Sequence, residues 1–411
     1  MESPINPALW QVLFNTALGT LSVATLYSVY HQKYDMESAQ RAAFLELRKA
    51  ASEEARVEKL TELLAVCKPE VARQQPSARM SALKYGAPIV SMAKLEKDGS
   101  NVESVRMSVK AIMLIYGPSA EGRQKLNSLG GYRVLLATLS EAQRQGEESL
   151  MEDVAQALNV LTEVDDSEVI LDADVPEGSE GAATLARLPA TVKMLRILDP
   201  EGSVTFLASL TGIFANICTL AEGAANVGVG IDGHSGMSFF MQLLDHTNRR
   251  VVANAISVVR FLARAHIGQE ELVEEENMVR LADNLRVTAE PVVVNSILTV
   301  ILVMAGSKKY GEAFFSGIAS STIPTTLFEL WVRSPEKPLR SRAEVLSRLL
   351  LRIPQTAPVV AALFERFRSQ LEERRRRDEE EYRQQMQQMQ QNQMMQRMML
   401  EQMGMDPSMM G

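Results

Sequence analysis

Cysteine is nearly absent from this chain of 411 residues: Cys67 and Cys218 are the only two. Two distant cysteines build neither a disulfide framework nor a metal-ligand cluster, and their scarcity fits a reducing compartment. The four histidines, His31, His234, His246 and His266, share no metal-binding spacing, so no metal and no cofactor is expected. A basic excess is lacking too. The net charge of −8 and pI near 5.4 argue against a nucleic-acid partner. No phosphate-binding Gly-Lys loop, nucleophile elbow or framed carboxylate pair occurs. The stretch GVGIDGHSG (228–236) is glycine-rich but follows no strand. The chain therefore reads as something other than an enzyme.

Charge is missing altogether from residues 5–30. The run ALWQVLFNTALGTLSVATLYSVY (8–30), if helical, is about 34 Å long, enough for a bilayer core of about 30 Å. It predicts a transmembrane helix anchored by Leu9, Trp10, Leu13, Phe14, Leu18, Leu21, Val23, Leu26 and Tyr27, with the aromatic rings near its ends. Gln11, Asn15, Ser22 and Thr25 share one side of the helical wheel, a polar stripe suited to another membrane subunit. A cleaved signal would carry a basic start and a mitochondrial presequence would be arginine-rich; only Glu2 is charged ahead of the run. The competing reading is a helix buried in the body of the protein.

What the chain does have is apolar residues, 46% of the total, set at helical spacing. Long apolar-faced helices are predicted at 102–116, 149–163, 203–221, 249–265, 290–306 and 338–353. Small residues recur in them at Ala111, Ala157, Ala208, Ala255, Ser296 and Ala343, with gaps of 46, 51, 47, 41 and 47 residues. Helical units at such a period indicate an all-α, right-handed solenoid of the armadillo or HEAT type. Within EGRQKLNSLGGYRVLLATL (121–139), Gly130 and Gly131 mark a tight corner between two helices, where glycine permits a positive φ.

That stretch resembles the armadillo family, whose repeats carry a run like E-N-R-x-x-I-x-x-x-G-G-I-P-x-L-V-x-L-L. Glu121, Arg123, Leu126, Gly130, Gly131, Val134, Leu135, Leu136 and Leu139 match it. Ala157-Leu158-Asn159-Val160-Leu161 resembles the family's third-helix A-L-x-N-L. The resemblance covers about residues 80–368 and implies a concave surface lined by the third helices. Later corners depart from it: 223–244 keeps the pattern loosely and 268–285 has lost its glycines. The organisation read from the chain is an anchor at 1–34, a helical connector at 35–79, repeats at 80–368 with an acidic loop insertion at 165–189, and a tail at 369–411.

Asn159, Asn216, Asn254 and Asn295 fall on the predicted third helices, where a ladder of amides can hold a peptide backbone. Their bland reading is that they cap or bridge helices. Nuclear-import armadillo receptors pair such asparagines with tryptophan four residues earlier. Here those positions hold Ala155, Gly212, Arg250 and Pro291, so basic nuclear-localisation peptides are not expected. Arg249, Arg250, Arg260 and Arg264 form a basic patch suited to acidic or amphipathic ligands. In the tail, LEERRRRDEEEYRQQ (371–385) predicts an exposed helix with Glu372–Arg376 and Glu373–Arg377 pairs. The last 26 residues, holding ten of the 22 methionines, read either as disordered or as a binder of apolar segments.

Anchor, repeats and size together resemble the armadillo-type receptor subunit of the archaic outer mitochondrial membrane translocase of kinetoplastids. This implies a receptor in the mitochondrial outer membrane, its bulk in the cytosol, whose partners are precursor proteins and translocase subunits. The alternatives are an armadillo-type nucleotide-exchange factor for Hsp70 or an organelle-tethering scaffold.

Overall fold

The computed structural model describes residues 46–47, 50, 52–67, 83–84, 86–164, 179–286 and 289–402, the side chains of 66–67 and 396–402 excepted. All the proposed anchor and stripe residues, from Leu9 to Tyr27, lie outside the described residues. Among the described residues, no helix is long and apolar enough to cross a membrane. The chain divides into two compact units, Met1–Gly268 and Gln269–Gly411.

The first unit is built of helices of 5 to 16 residues, the later ones in triplets. After α1 (Glu53–Cys67) and α2 (Ala87–Met92) comes the long α3 (Val102–Tyr116). Three triplets follow. The first is α4 (Ala120–Ser128), α5 (Gly131–Gln145) and α6 (Glu148–Leu161). The second is α7 (Glu180–Arg187), α8 (Pro189–Lys193) with a 3-10 turn, and α9 (Val204–Ile217). The third is α10 (Ala221–Val229), α11 (Gly236–Gln242) with a 3-10 turn, and α12 (Arg249–Arg264). The long helices stack in sequence: α3 on α1, α6 on α3, α9 on α6 and α12 on α9. The repeating small residues sit in this stack. Ala111, Ala157 and Ala255 are fully buried and Ala208 nearly so, which lets neighbouring helix backbones approach. Phe214 of α9 meets Phe240 of α11 edge to face at 5.5 Å, tying a long helix to the layer behind it.

The Gly-Gly corner divides its labour. Gly130 caps α5 in the left-handed region, φ 73°, a conformation costly to any residue with a Cβ. Gly131 is already helical; a Cβ there would stand 2.1 Å from Leu126 Cδ1. One glycine serves the turn and the other the close approach. The later corners solve the same problem differently. Between α7 and α8, Leu188 is extended and Pro189 opens the next helix. Between α10 and α11, Asp232 (φ 54°) and Gly233 (φ 84°) form a two-residue turn. Ile231 and His234 close it with paired backbone hydrogen bonds of 2.9 and 3.0 Å, the pattern of a type I′ turn. The glycine-rich stretch 228–236 is this turn.

The acidic insertion requires a correction. Residues 165–178 are not described, but Glu180–Arg187 is a helix rather than loop. Gly181 lies so close to Leu161 and Tyr132 that a Cβ would meet the Leu161 carbonyl at 2.3 Å. That packing makes α7 the first helix of a repeat.

The second unit holds α13 (Glu275–Asn284), the long α14 (Pro291–Ala305), then α15 (Gly311–Ser320), α16 (Ile323–Arg333) and the long α17 (Lys337–Leu350). Its small residues Ser296 and Ala343 are fully buried. The last helix, α18 (Ala357–Gln402), has 46 residues. Its start docks through Val360, Leu363, Phe367 and Leu371, with Phe364 and Phe367 at 4.9 and 5.6 Å from the Phe328 ring. Asp378 on α18 accepts from Arg374 at 2.7 Å and from Arg340 of α17 at 3.4 Å. Of the two expected pairs, Glu373–Arg377 forms and Glu372–Arg376 does not. The reading of the Met/Gln run as disordered is corrected as far as Gln402. Met, Gln and Leu are good helix formers, and neither glycine nor proline intervenes before Gly404.

The two glycines of the first corner should respond differently to alanine. Gly130→Ala should lower stability by about 1–2 kcal/mol through the forced left-handed conformation, with Gly130→Asn costing less. Gly131→Ala should cost about 1–3 kcal/mol by overpacking, and Leu126→Ala should suppress that penalty but not the one at Gly130. Urea unfolding of the four single and two double variants checks this.

Candidate binding surface

The stacked long helices bury most of their circumference and leave one strip outward. In α6 that strip is Glu148, Glu152, Gln156, Asn159 and Glu163, the last lying just past the helix end. In α12, counting the same steps from the helix start, it is Arg249, Ala253, Ser257, Arg260 and Arg264. In α9 the same steps fall on Val204, Ala208, Gly212, Ala215 and Thr219, of which Ala208 and Gly212 are buried. The middle helix thus offers small uncharged residues, with Ala208 and Gly212 recessed.

The four asparagines lie on long helices, three of them in the first unit. Asn159 and Asn216 lie near the ends of α6 and α9, and Asn254 near the start of α12. Asn295, in the second unit, is near the start of α14. Each is joined to a neighbouring helix. The Asn216 amide donates to the Asn159 carbonyl (3.3 Å), Asn159 Oδ1 (3.4 Å) and Thr162 Oγ1 (3.2 Å). The Asn254 amide donates to the Ala208 carbonyl (3.0 Å) and Thr211 Oγ1 (3.2 Å). Within the second unit, Arg342 of α17 donates to Asn295 Oδ1. In the first unit the asparagines thus form two rows of bridges between long helices, as their bland reading has it. Those on α9 stand eight residues apart, roughly 12 Å along the axis. The bonds of Asn216 are long and so individually weak. All four side chains remain half-buried.

The same stack is bridged by charge on the α3 side. Asp153 of α6 accepts from Arg106 Nε at 2.9 Å and lies 3.4 Å from Lys110 Nζ, and this carboxylate raises the Arg106 pKa further. Ser203, capping α9, donates to Glu152. Against this background the patch on α12 differs. Arg249, Arg250 and Arg264 are exposed and form no salt bridge among the described residues. The Arg260 guanidinium lies 4.4 Å from the Phe261 ring centre, half-buried. Three of the four predicted arginines, Arg249, Arg260 and Arg264, share the outward strip, with Arg250 at its edge. Sequence reading missed the matching acids on α6; counting from each helix start would have found them.

Cys218 is fully buried, and burial raises its thiol pKa far out of the reactive range. Among the described residues, no group of three or more His, Cys, Asp or Glu is placed to hold a metal. The glycine at position 212 is explained by its neighbour: a Cβ there would lie 2.3 Å from Asn159 Oδ1. The place where an import receptor carries tryptophan is filled by the asparagine of the adjacent helix. Gly212→Ala and Asn159→Ala should therefore be non-additive in urea unfolding. Alanine at 212 should gain about 1 kcal/mol only when Asn159 has been removed.

No protein-family model matches the sequence, and no curated protein matches it. Solved structures do. A chain from the structure of the phosphorylation-switched cadherin–β-catenin interaction aligns with a TM-score of 0.57 at 16% identity, covering 76% of this chain and 61% of that one. A designed armadillo repeat protein in complex with the peptide (KR)4 aligns at 0.47 and 16% identity, over 64% of this chain and 98% of the designed one. A computationally designed armadillo repeat protein for modular peptide recognition gives 0.47 and 15%, with the same coverage. The fold is armadillo-like.

Proposed function

We propose that the chain is a protein-binding scaffold that receives an extended segment of its partner across α6, α9 and α12. The observation that carries this reading is the uncharged strip of α9, exposed at Val204 and half-buried at Ala215 and Thr219, lying between two charged strips. An extended backbone needs a floor without bulky side chains; Ala215 and Thr219 supply its accessible part, while Ala208 and Gly212 lie buried beneath it. The half-buried amides of Asn159 and Asn216 at its end offer hydrogen-bonding groups to main chain of any sequence.

In its finer form the proposal makes the scaffold a receptor for precursor proteins at the mitochondrial outer membrane. It is tethered there by residues 5–30, whose lack of charge supports a span. Tethering would raise the concentration of a captured precursor near a translocase without any new contact.

Filling the floor tests the binding reading. The purified full chain should bind a fluorescein-labelled, urea-denatured mitochondrial precursor in an anisotropy titration. Ala215→Trp should weaken binding roughly tenfold or more while the unfolding midpoint holds. Equal binding by the variant would contradict the groove, and nucleotide-sensitive capture of Hsp70 in place of precursor would favour the exchange-factor alternative. Alkaline carbonate should leave the full chain in membranes and release one lacking residues 1–30; release of the full chain would contradict the tether.

A further inference from the structure

The groove across α6, α9 and α12 is charge-polarised, and we infer that it selects an extended peptide with basic residues at one end and acidic residues at the other. This rests on the groove reading above. Glu148 and Glu163 lie 15 residues apart on the outward strip of α6, and Arg249 and Arg264 lie 15 apart on that of α12, at the same steps from the helix start. All four are exposed. None makes a salt bridge among the described residues, whereas Arg106, Lys110, Arg187 and Arg196 of the same unit all do. Between the two rims, the outward positions of α9 carry no charge.

The two acids stand roughly 22 Å apart along the helix axis, as do the two arginines, so a crossing peptide meets either Glu148 and Arg249 or Glu163 and Arg264, one charge at each of its ends. Two steps between packed helices place the rims roughly 16–20 Å apart. An extended chain rises about 3.3 Å per residue, so its charged ends fall five or six residues apart, with small neutral residues over α9. A uniformly basic peptide is repelled by α12 and a uniformly acidic one by α6. The rims also disfavour nucleic acid, whose evenly spaced phosphates would meet Glu148 and Glu163. Exposed ion pairs are individually weak and screened by salt, so the rims select by pattern rather than supply most of the affinity.

Four labelled peptides of equal length test this on the full chain: Lys-Lys and Glu-Glu ends with a Ser/Gly/Thr centre, the same composition with alternating charges, all-lysine ends, and uncharged. The polarised peptide should bind roughly tenfold tighter than the alternating one at low salt, the gap closing towards 0.5 M or so. Glu148→Lys with Glu163→Lys should abolish that preference, as should Arg249→Glu with Arg264→Glu. The quadruple reversal should restore it, because the ligand then lies the other way round. All these positions are exposed, and Gln in place of Lys or Glu provides a milder series should a reversal unfold the chain. If all four peptides bind alike, polarity selection is overturned while the groove stands. If none binds, the groove falls too. Tighter binding of single-stranded DNA, or a self-associated dimer that excludes the peptide, also overturns the inference.

Discussion

Everything in the first unit depends on how closely the long helices approach one another. Ala111, Ala157, Ala208 and Ala255 are buried in the stack of α3, α6, α9 and α12. Apolar side chains packed around them, such as Ile112, Leu158, Phe214 and Ile256, are fully excluded from water. Each contributes about 1.5–3 kcal/mol by burial, before the entropy of ordering the chain is set against it. Because each long helix is buried on both flanks and behind, one narrow strip per helix is left outward. Packing makes little demand on the exposed positions of those strips, and there the sequence places Glu148 and Glu163 on α6 and Arg249 and Arg264 on α12.

The polar bridges between the long helices belong to the same constraint. Asn216, Asn254, Asp153 and Glu152 each reach a neighbouring long helix. They fix the register of helices whose apolar surfaces would tolerate sliding, because an apolar contact is non-directional and a hydrogen bond is not. Gly212 shows the cost of this arrangement: a residue that weakens an isolated helix is retained where Asn159 must fit. The asparagines therefore have a structural duty first, and a ligand in the proposed groove would compete for what remains of their hydrogen-bonding capacity.

The long helices were legible in the sequence because their apolar spacing is strong, and the recurring small residues marked the stack correctly. The first corner was legible because it is solved by glycines. The others were not, since Pro189 and the Asp232–Gly233 turn achieve similar reversals with different chemistry. α7 was hidden because acidic residues lead into it and its packing depends on Tyr132, far away in sequence. The helical continuation of α18 was obscured by low complexity, although its residues individually favour helix. On the candidate surface, the arginines of α12 stood out as a cluster. Glu148 and Glu163 did not, because fifteen residues separate them and their relation to Arg249 and Arg264 exists only once the helices are aligned.

Hydrogen–deuterium exchange on the full chain, with and without the polarised peptide, probes most directly whether the outward strips of the stacked helices form the binding surface. Slowed exchange should appear in α6, α9 and α12 and leave α4, α10 and α18 unchanged. Protection confined to those other helices, or no protection at saturating peptide, would contradict it.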